Sequence, residues 1–317
     1  MPHCTSNKPI IAICGATGFQ GGSVAKHLLQ DGRFAVRGLT RKPNSAGAKE
    51  LAREGVAMVQ ADFDDAESLR TAFKGCHGVY AVTDYFDAFE RETQQGINII
   101  DAAKATGIKH LVFSSGDDRP GGVPAFEHKA AAVSYMRKSG VPYTALYLTW
   151  YYSNMFLFDA FQRNPQSGGW ILRFPMPTDI PIPCLSPKDI GAYALAAFSN
   201  SSEWIGKDMR VCNEYLTPRQ FAETYAEVTG SQVDIIEITR DAFFALEHEP
   251  FILQAWGVFK WFIDMHEGNW PKLSAELAAR LCPNKQSWRD YMVEHLAIPP
   301  EQPVVIECYR TNERFSS

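Results

Sequence analysis

An open parallel β-sheet covered on both faces by helices, followed by a smaller α/β domain, is the architecture this sequence predicts. Three observations carry it. The apolar strand Ile10 to Cys14 runs directly into glycines at positions 15, 18 and 21, strand and helix patterns alternate as far as Leu148, and a glycine closes each helix of that stretch. Alternation of this kind gives a parallel sheet buried on both sides.

The first strand leads into Gly15-Ala16-Thr17-Gly18-Phe19-Gln20-Gly21-Gly22, and a helical pattern from Ser23 to Gln30 follows, stopped by Gly32. Glycines at this spacing turn the strand sharply into the helix, let the backbone approach a pyrophosphate, and bring the helix close to the sheet. The fold class is therefore the doubly wound Rossmann type, and the ligand it implies is a dinucleotide. Gly15, Thr17, Gly18, Phe19, Gln20 and Gly21 are its expected contacts.

The second strand, Phe34 to Thr40, ends where an NAD-preferring site carries an acidic residue on the ribose hydroxyls. Here Thr40-Arg41-Lys42 stands there instead. A carboxylate would repel a 2′-phosphate, whereas a guanidinium grips it through two charge-assisted hydrogen bonds. NADP(H) is the expected cofactor, with Arg41 and Lys42 at its phosphate.

Four further strands are expected at Val56 to Gln60, Gly78 to Thr83, His110 to Ser114 and Tyr143 to Leu148. The helices between them span Ala46 to Arg53, Ala66 to Phe73, Phe89 to Thr106 and Phe126 to Lys138, followed by Gly55, Gly75, Gly107 and Gly140. Glycine just past a helix is the preferred left-handed cap. Ligands of an open α/β sheet lie beyond the carboxyl ends of its strands. That rule gathers Asp62, Phe63, Thr83, Tyr85, Ser114 and Ser115 with the glycine turn in one cleft. Asp62 either contacts the cofactor or caps the helix from Ala66, and Tyr85 either contacts it or packs.

Composition narrows the function classes. The chain has 317 residues, 45% of them hydrophobic, and a net charge of −5. An acidic chain without a lysine or arginine run lacks the footprint of direct nucleic-acid binding. No apolar run is long enough to span a bilayer, and Met1 to Lys8 has no signal core, so a cytoplasmic location is expected. Seven scattered cysteines without C-x-x-C pairs suggest neither a zinc site nor a disulfide framework.

The glycine segment from Gly15 to Ala25, with Leu39-Thr40-Arg41, Gln60-Ala61-Asp62-Phe63-Asp64-Asp65, Val82-Thr83-Asp84-Tyr85, Lys129, Ser139 to Thr144 and Tyr151-Tyr152-Ser153-Asn154, resembles the NmrA-like family of atypical short-chain dehydrogenases. The likeness runs from Lys8 to about Leu296. It implies NADP(H) binding and one of two activities: reduction of small aromatic molecules, or NADP(H)-dependent regulation through a protein partner.

Ordinary short-chain dehydrogenases use Y-x-x-x-K, the lysine lowering the tyrosine pKa and holding the nicotinamide ribose. Here the segment reads Ala125-Phe126-Glu127-His128-Lys129. The tyrosine is absent. Lys129 is expected in the cleft, as ribose clamp or as the acid–base, with Ser114 or Ser115 polarising a carbonyl. His128 is out of phase with Lys129 on a helix and is expected to point elsewhere.

The domain organisation expected is a nucleotide-binding domain over 8–155, a smaller substrate or partner domain over 156–298 with helix 187–199 returning to the first, and a tail over 299–317. The stretch after the sixth strand and the second domain are rich in aromatics, among them Trp150, Phe156, Phe158, Trp256, Phe259 and Phe262. These suit core packing, and they also suit the wall of an apolar pocket for a small aromatic substrate. Tyr151 and Asn154 are expected to supply its polar contacts. Thr217-Pro218 with Gln220 is a helix-start signal.

Overall fold

The computed structural model describes residues 8–117, 123–248 and 253–297. The tail from Pro299 and the apolar pair Phe251-Ile252 lie outside the described residues. The chain divides into two compact units, the first comprising 1–148, 188–211 and 280–283, the second 149–187, 212–279 and 284–317.

The first unit is built on a seven-stranded parallel sheet. Its elements are β1 (Ile10–Ile13), α1 (Phe19–Asp31), β2 (Ala35–Thr40), α2 (Ala46–Arg53), β3 (Ala57–Gln60), α3 (Ala66–Phe73), β4 (Gly78–Ala81), α4 (Tyr85–Ala88), α5 (Glu92–Ala105), β5 (His110–Ser115), α6 (Pro124–Ser139) and β6 (Tyr143–Tyr147). The strand order is β6-β5-β4-β1-β2-β3, and a seventh strand, Lys207–Arg210, lies beside β6. All its pairings are parallel. The order reverses beside β1, where Ile11 pairs with Val36 on one side and Gly78 on the other. Such a switch point opens a crevice at the strand ends.

β4 and β5 are buried throughout, and Ile11, Ile13, Val79, Leu111, Val112 and Phe113 form the floor of the core. Gly32, Gly55, Gly75, Gly107 and Gly140 all take positive φ after their helices, as their positions in the sequence predict.

Three elements differ from the sequence reading, the first being α1, which begins at Phe19 rather than at Ser23. The seventh strand reads Lys-Asp-Met-Arg, with only Met209 fully buried, so it has no apolar run to announce it. Side chains tie it to the sheet instead. Arg210 forms a bidentate pair with the buried Asp117, at 2.6 and 2.8 Å, and lies 4.6 Å from the Tyr147 ring centroid; Arg137 bonds both Asp208 oxygens.

The helix expected from Phe89 begins later, at Glu92. Asp84 caps the single turn α4 by accepting from Phe86 N, and Phe89 leaves it at φ 49° and ψ −126°. A non-glycine residue there breaks the helical path, and a 3₁₀ turn, Phe89–Arg91, precedes α5.

The helix Ile190–Ser199 packs on α1. Ser23 Oγ donates to Lys188 O at 2.6 Å and accepts from Gly191 N at 2.9 Å, and a Cβ at Gly191 would strike the Ser23 carbonyl.

The second unit holds two three-stranded sheets. In one, Ile182–Leu185 lies between Trp150–Tyr151 and Glu214–Leu216; in the other, Trp170–Leu172 lies between Phe161–Arg163 and Val233–Ile235. The helix Pro218–Thr229 starts with the reciprocal capping box of Thr217 and Gln220. Of the aromatics singled out in the sequence, Trp256, Phe259 and Phe262 are buried, Trp150 and Phe156 are half-buried, and Phe158 is exposed.

Candidate functional site

The turn after β1 separates the glycines by task. Gly15 has φ +63°, which L side chains rarely adopt. Gly21 is buried, and a Cβ there would collide with the Gly15 carbonyl as α1 crosses the strand end. Gly18 differs. A Cβ on it meets only the Gly15 oxygen, at 3.4 Å, and the residue is exposed at the start of α1. Gly18 is the N-cap of α1 and, having no side chain, supplies no side-chain cap to the positive end of the helix. Thr17 is exposed, and Gln20 is tied to the sheet by the Tyr80 hydroxyl, which donates to its Oε1 at 2.7 Å.

Arg41 stands one residue past β2. Its Nη1 lies 2.8 Å from Asp87 Oδ2 on α4, with the two side chains 56% and 44% exposed. The bond to Asp87 raises the Arg41 pKa above its ordinary value, and Asp62 and Asp64 add to the same field. Lys42 is exposed.

Of the two roles held open for Asp62, the helix cap belongs to a neighbour. Asp65 accepts from Glu67 N and Ser68 N at the start of α3, whereas the Asp62 carboxylate closes a tight turn onto Asp64 N. Asp64 pairs with Arg91. Phe63 is half-buried, with its carbonyl accepting from Asn98 Nδ2.

The densest chemistry lies beyond β4 and β5. Lys129, on α6, is ion-paired with Glu92 at the start of α5. Glu92 is fully buried and Lys129 is 16% exposed at its side chain. The same Glu92 oxygen accepts from Thr83 Oγ1 at 2.8 Å. The other oxygen, Oε2, is buried without a hydrogen-bond partner among the described residues. A buried carboxylate held by one lysine and one threonine, with its second oxygen unsatisfied, is costly unless a further group completes it.

His128, the neighbour of Lys129 on α6, meets other residues. Its ring lies 5.7 Å from that of Tyr85, and its Nδ1 is 2.9 Å from Thr93 Oγ1. Tyr85 also meets the rings of Phe86 and Phe89, which are 45% and 49% exposed.

Ser114 and Ser115 end β5 and are both buried; Ser115 Oγ donates to Gly116 O at 2.9 Å. The structure thus joins Thr83 and Lys129 through Glu92, which the sequence reading missed, while Tyr85 meets His128. Tyr151 and Asn154 belong to the second unit, where both are half-buried.

The NmrA-like family model matches residues 7–292. The chain belongs to the NmrA-like family. The NmrA-like oxidoreductase himF of Aspergillus japonicus is 32% identical over 251 residues, spanning 73% of this chain and 76% of that protein. The NmrA-like oxidoreductase FrzB of a Cladobotryum species is also 32% identical, over 70% of this chain and 74% of its own.

Among solved structures, the negative transcriptional regulator NmrA in complex with NADP superposes with a TM-score of 0.74, at 23% identity, over 93% of this chain and 97% of that one. The NADPH-dependent quinone oxidoreductase QOR2 of Escherichia coli, complexed with NADPH, gives 0.71 at 23% identity, over 91% and 100%. At that identity these two structures speak for the fold. No described helix is long and apolar enough to cross a membrane.

Proposed function

We propose that this NmrA-like protein is an NADPH-dependent oxidoreductase acting on a small conjugated or aromatic carbonyl-type acceptor. The observation that carries the proposal is the buried pairing of Lys129 with Glu92 and Thr83, on the same strand-end side of the sheet as the glycine turn. Names of relatives agree with it: himF and FrzB are oxidoreductases, and QOR2 reduces quinones with NADPH.

The residues present fit a dinucleotide phosphate. The uncapped start of α1 with the open face at Gly18 suits the pyrophosphate, and Arg41 suits the 2′-phosphate. Bound there, the nicotinamide supplies a hydride. Lys129 then gives a proton from Nζ to the acceptor oxygen that gains the electron pair. Glu92 orients that ammonium beforehand, and the partial exposure of Lys129 lets water restore the proton. Thr83 fixes the Glu92 carboxylate, and Ser114 or Ser115 orients the acceptor.

A second reading, an NADP(H)-dependent regulator that binds a protein partner, is favoured by one specific observation: Ala125 stands where the dehydrogenase tyrosine would be. The discriminating experiment is NADPH oxidation by the purified protein across quinones, enones and aromatic aldehydes. Turnover with at least one class supports the reductase. Tight NADPH binding with no turnover across the panel supports the regulator.

A further inference from the structure

Resting on the reading of Arg41 as the 2′-phosphate ligand, we propose that Asp87 is a specificity-determining residue of the cofactor site. It holds the Arg41 guanidinium when no 2′-phosphate is present, competes with that phosphate, and so reduces the preference for NADP(H) over NAD(H).

The pairing joins residues 46 apart in sequence, Arg41 just past β2 and Asp87 on the isolated turn α4. It is a single contact, Nη1 to Oδ2, between side chains that are both about half exposed. Pairs of this kind are weak. A phosphate monoester carries more charge than a carboxylate and presents three acceptor oxygens, so it displaces Asp87 and takes the guanidinium in a bidentate grip. The displacement still subtracts from its affinity.

The neighbouring carboxylates do not duplicate this role. Asp64 is engaged by Arg91 and by Gln95 Nε2, and Asp62 is turned onto Asp64 N. Asp87 is the carboxylate in contact with Arg41. NAD(H), which has ribose hydroxyls and no anion at that position, leaves the pair intact. Asp87 therefore acts on one cofactor and is silent toward the other.

The test is calorimetric titration of NADPH and NADH into the full-length wild-type protein, Asp87→Asn, Arg41→Ala and the double variant, with thermal melting to establish that each is folded. Asparagine keeps the shape of aspartate on an exposed turn. Asp87→Asn is expected to bind NADPH about threefold to fivefold more tightly, with NADH changed less than twofold. In the Arg41→Ala background the same substitution should leave NADPH affinity unchanged.

An unchanged or weakened NADPH affinity in Asp87→Asn, alongside a clear loss in Arg41→Ala, overturns the role of Asp87 and leaves the phosphate site standing. Equal tightening of both cofactors also overturns it, since it reveals only a general field. Arg41→Ala that keeps the wild-type ratio removes the phosphate site itself, and the proposal with it.

Discussion

Lys129 and Glu92 form an ion pair in which the carboxylate is fully buried and the lysine side chain is 16% exposed, from two helices whose residues lie 37 apart in sequence. Removing one member of such a pair strands the other charge in a low-dielectric setting. Glu92→Ala should therefore cost about 3 kcal/mol of stability, read from urea unfolding. The double variant Glu92→Leu/Lys129→Met should recover most of that loss. A single variant within about 0.5 kcal/mol of wild type, the usual range of a surface change, would mean that the pair is solvated in solution.

Lys129 also separates binding from chemistry. As the proton donor, Lys129→Met should keep its NADPH affinity while kcat falls roughly 10²- to 10⁴-fold, the usual worth of a positioned acid–base. Stopped-flow NADPH oxidation and an equilibrium titration on the same variant check this. Parallel loss of affinity and rate would make the lysine a ribose clamp instead.

The glycine turn allows a paired comparison. Gly18→Val should fold with a normal Tm and lose the NADPH-induced rise, because its side chain enters space that the protein itself leaves open. Gly21→Ala should lower the Tm even without cofactor, since its Cβ meets the Gly15 backbone. Thermal shift with and without NADPH reads both; an undiminished rise in Gly18→Val would remove this loop as the cradle.

His110 should make stability depend on pH. Its ring is buried, Nε2 lying 2.7 Å from Thr144 Oγ1 and Nδ1 3.1 Å from Ser201 Oγ. Burial first, and the charge of His77 second, lower its pKa from 6.5 to about 4. A folded pKa below the unfolded one means that the unfolded chain binds the extra proton. The contribution is therefore fully present above pH 6.5 and is lost as pH falls toward 4, up to about 3 kcal/mol. Urea unfolding at intervals across that window should show the slope, and His110→Gln should lack its His110 component. An equal slope in the variant would assign it to other groups.

Much of this molecule is legible before any coordinates. β1 and the glycine turn after it could be read because each glycine answers a local demand of backbone geometry, and local demands are written in neighbouring residues. The helix-closing glycines are of the same kind, as is the capping box of Thr217 and Gln220. β1, β4, β5 and β6 were readable because strands buried on both faces must be hydrophobic along their length. The resemblance of these segments to one family fixed the family as well.

What the tertiary structure decided is pairing over distance. Glu92 reads in sequence as one acidic residue among polar neighbours, and nothing local distinguishes it from a solvated helix start. Only the packing of α5 on α6 buries it against Lys129. The hold of Asp87 on Arg41 depends likewise on α4 turning back beside the end of β2, and the break at Phe89 that shapes α4 has no local signature. The seventh strand, polar and short, is recruited by Arg210 and Asp117 across 93 residues rather than by an apolar run. Hydrophobic periodicity and turn chemistry are short-range properties and can be read along a chain. Which charge meets which is set by how the layers stack, and that is decided only when the whole sheet has closed over its helices.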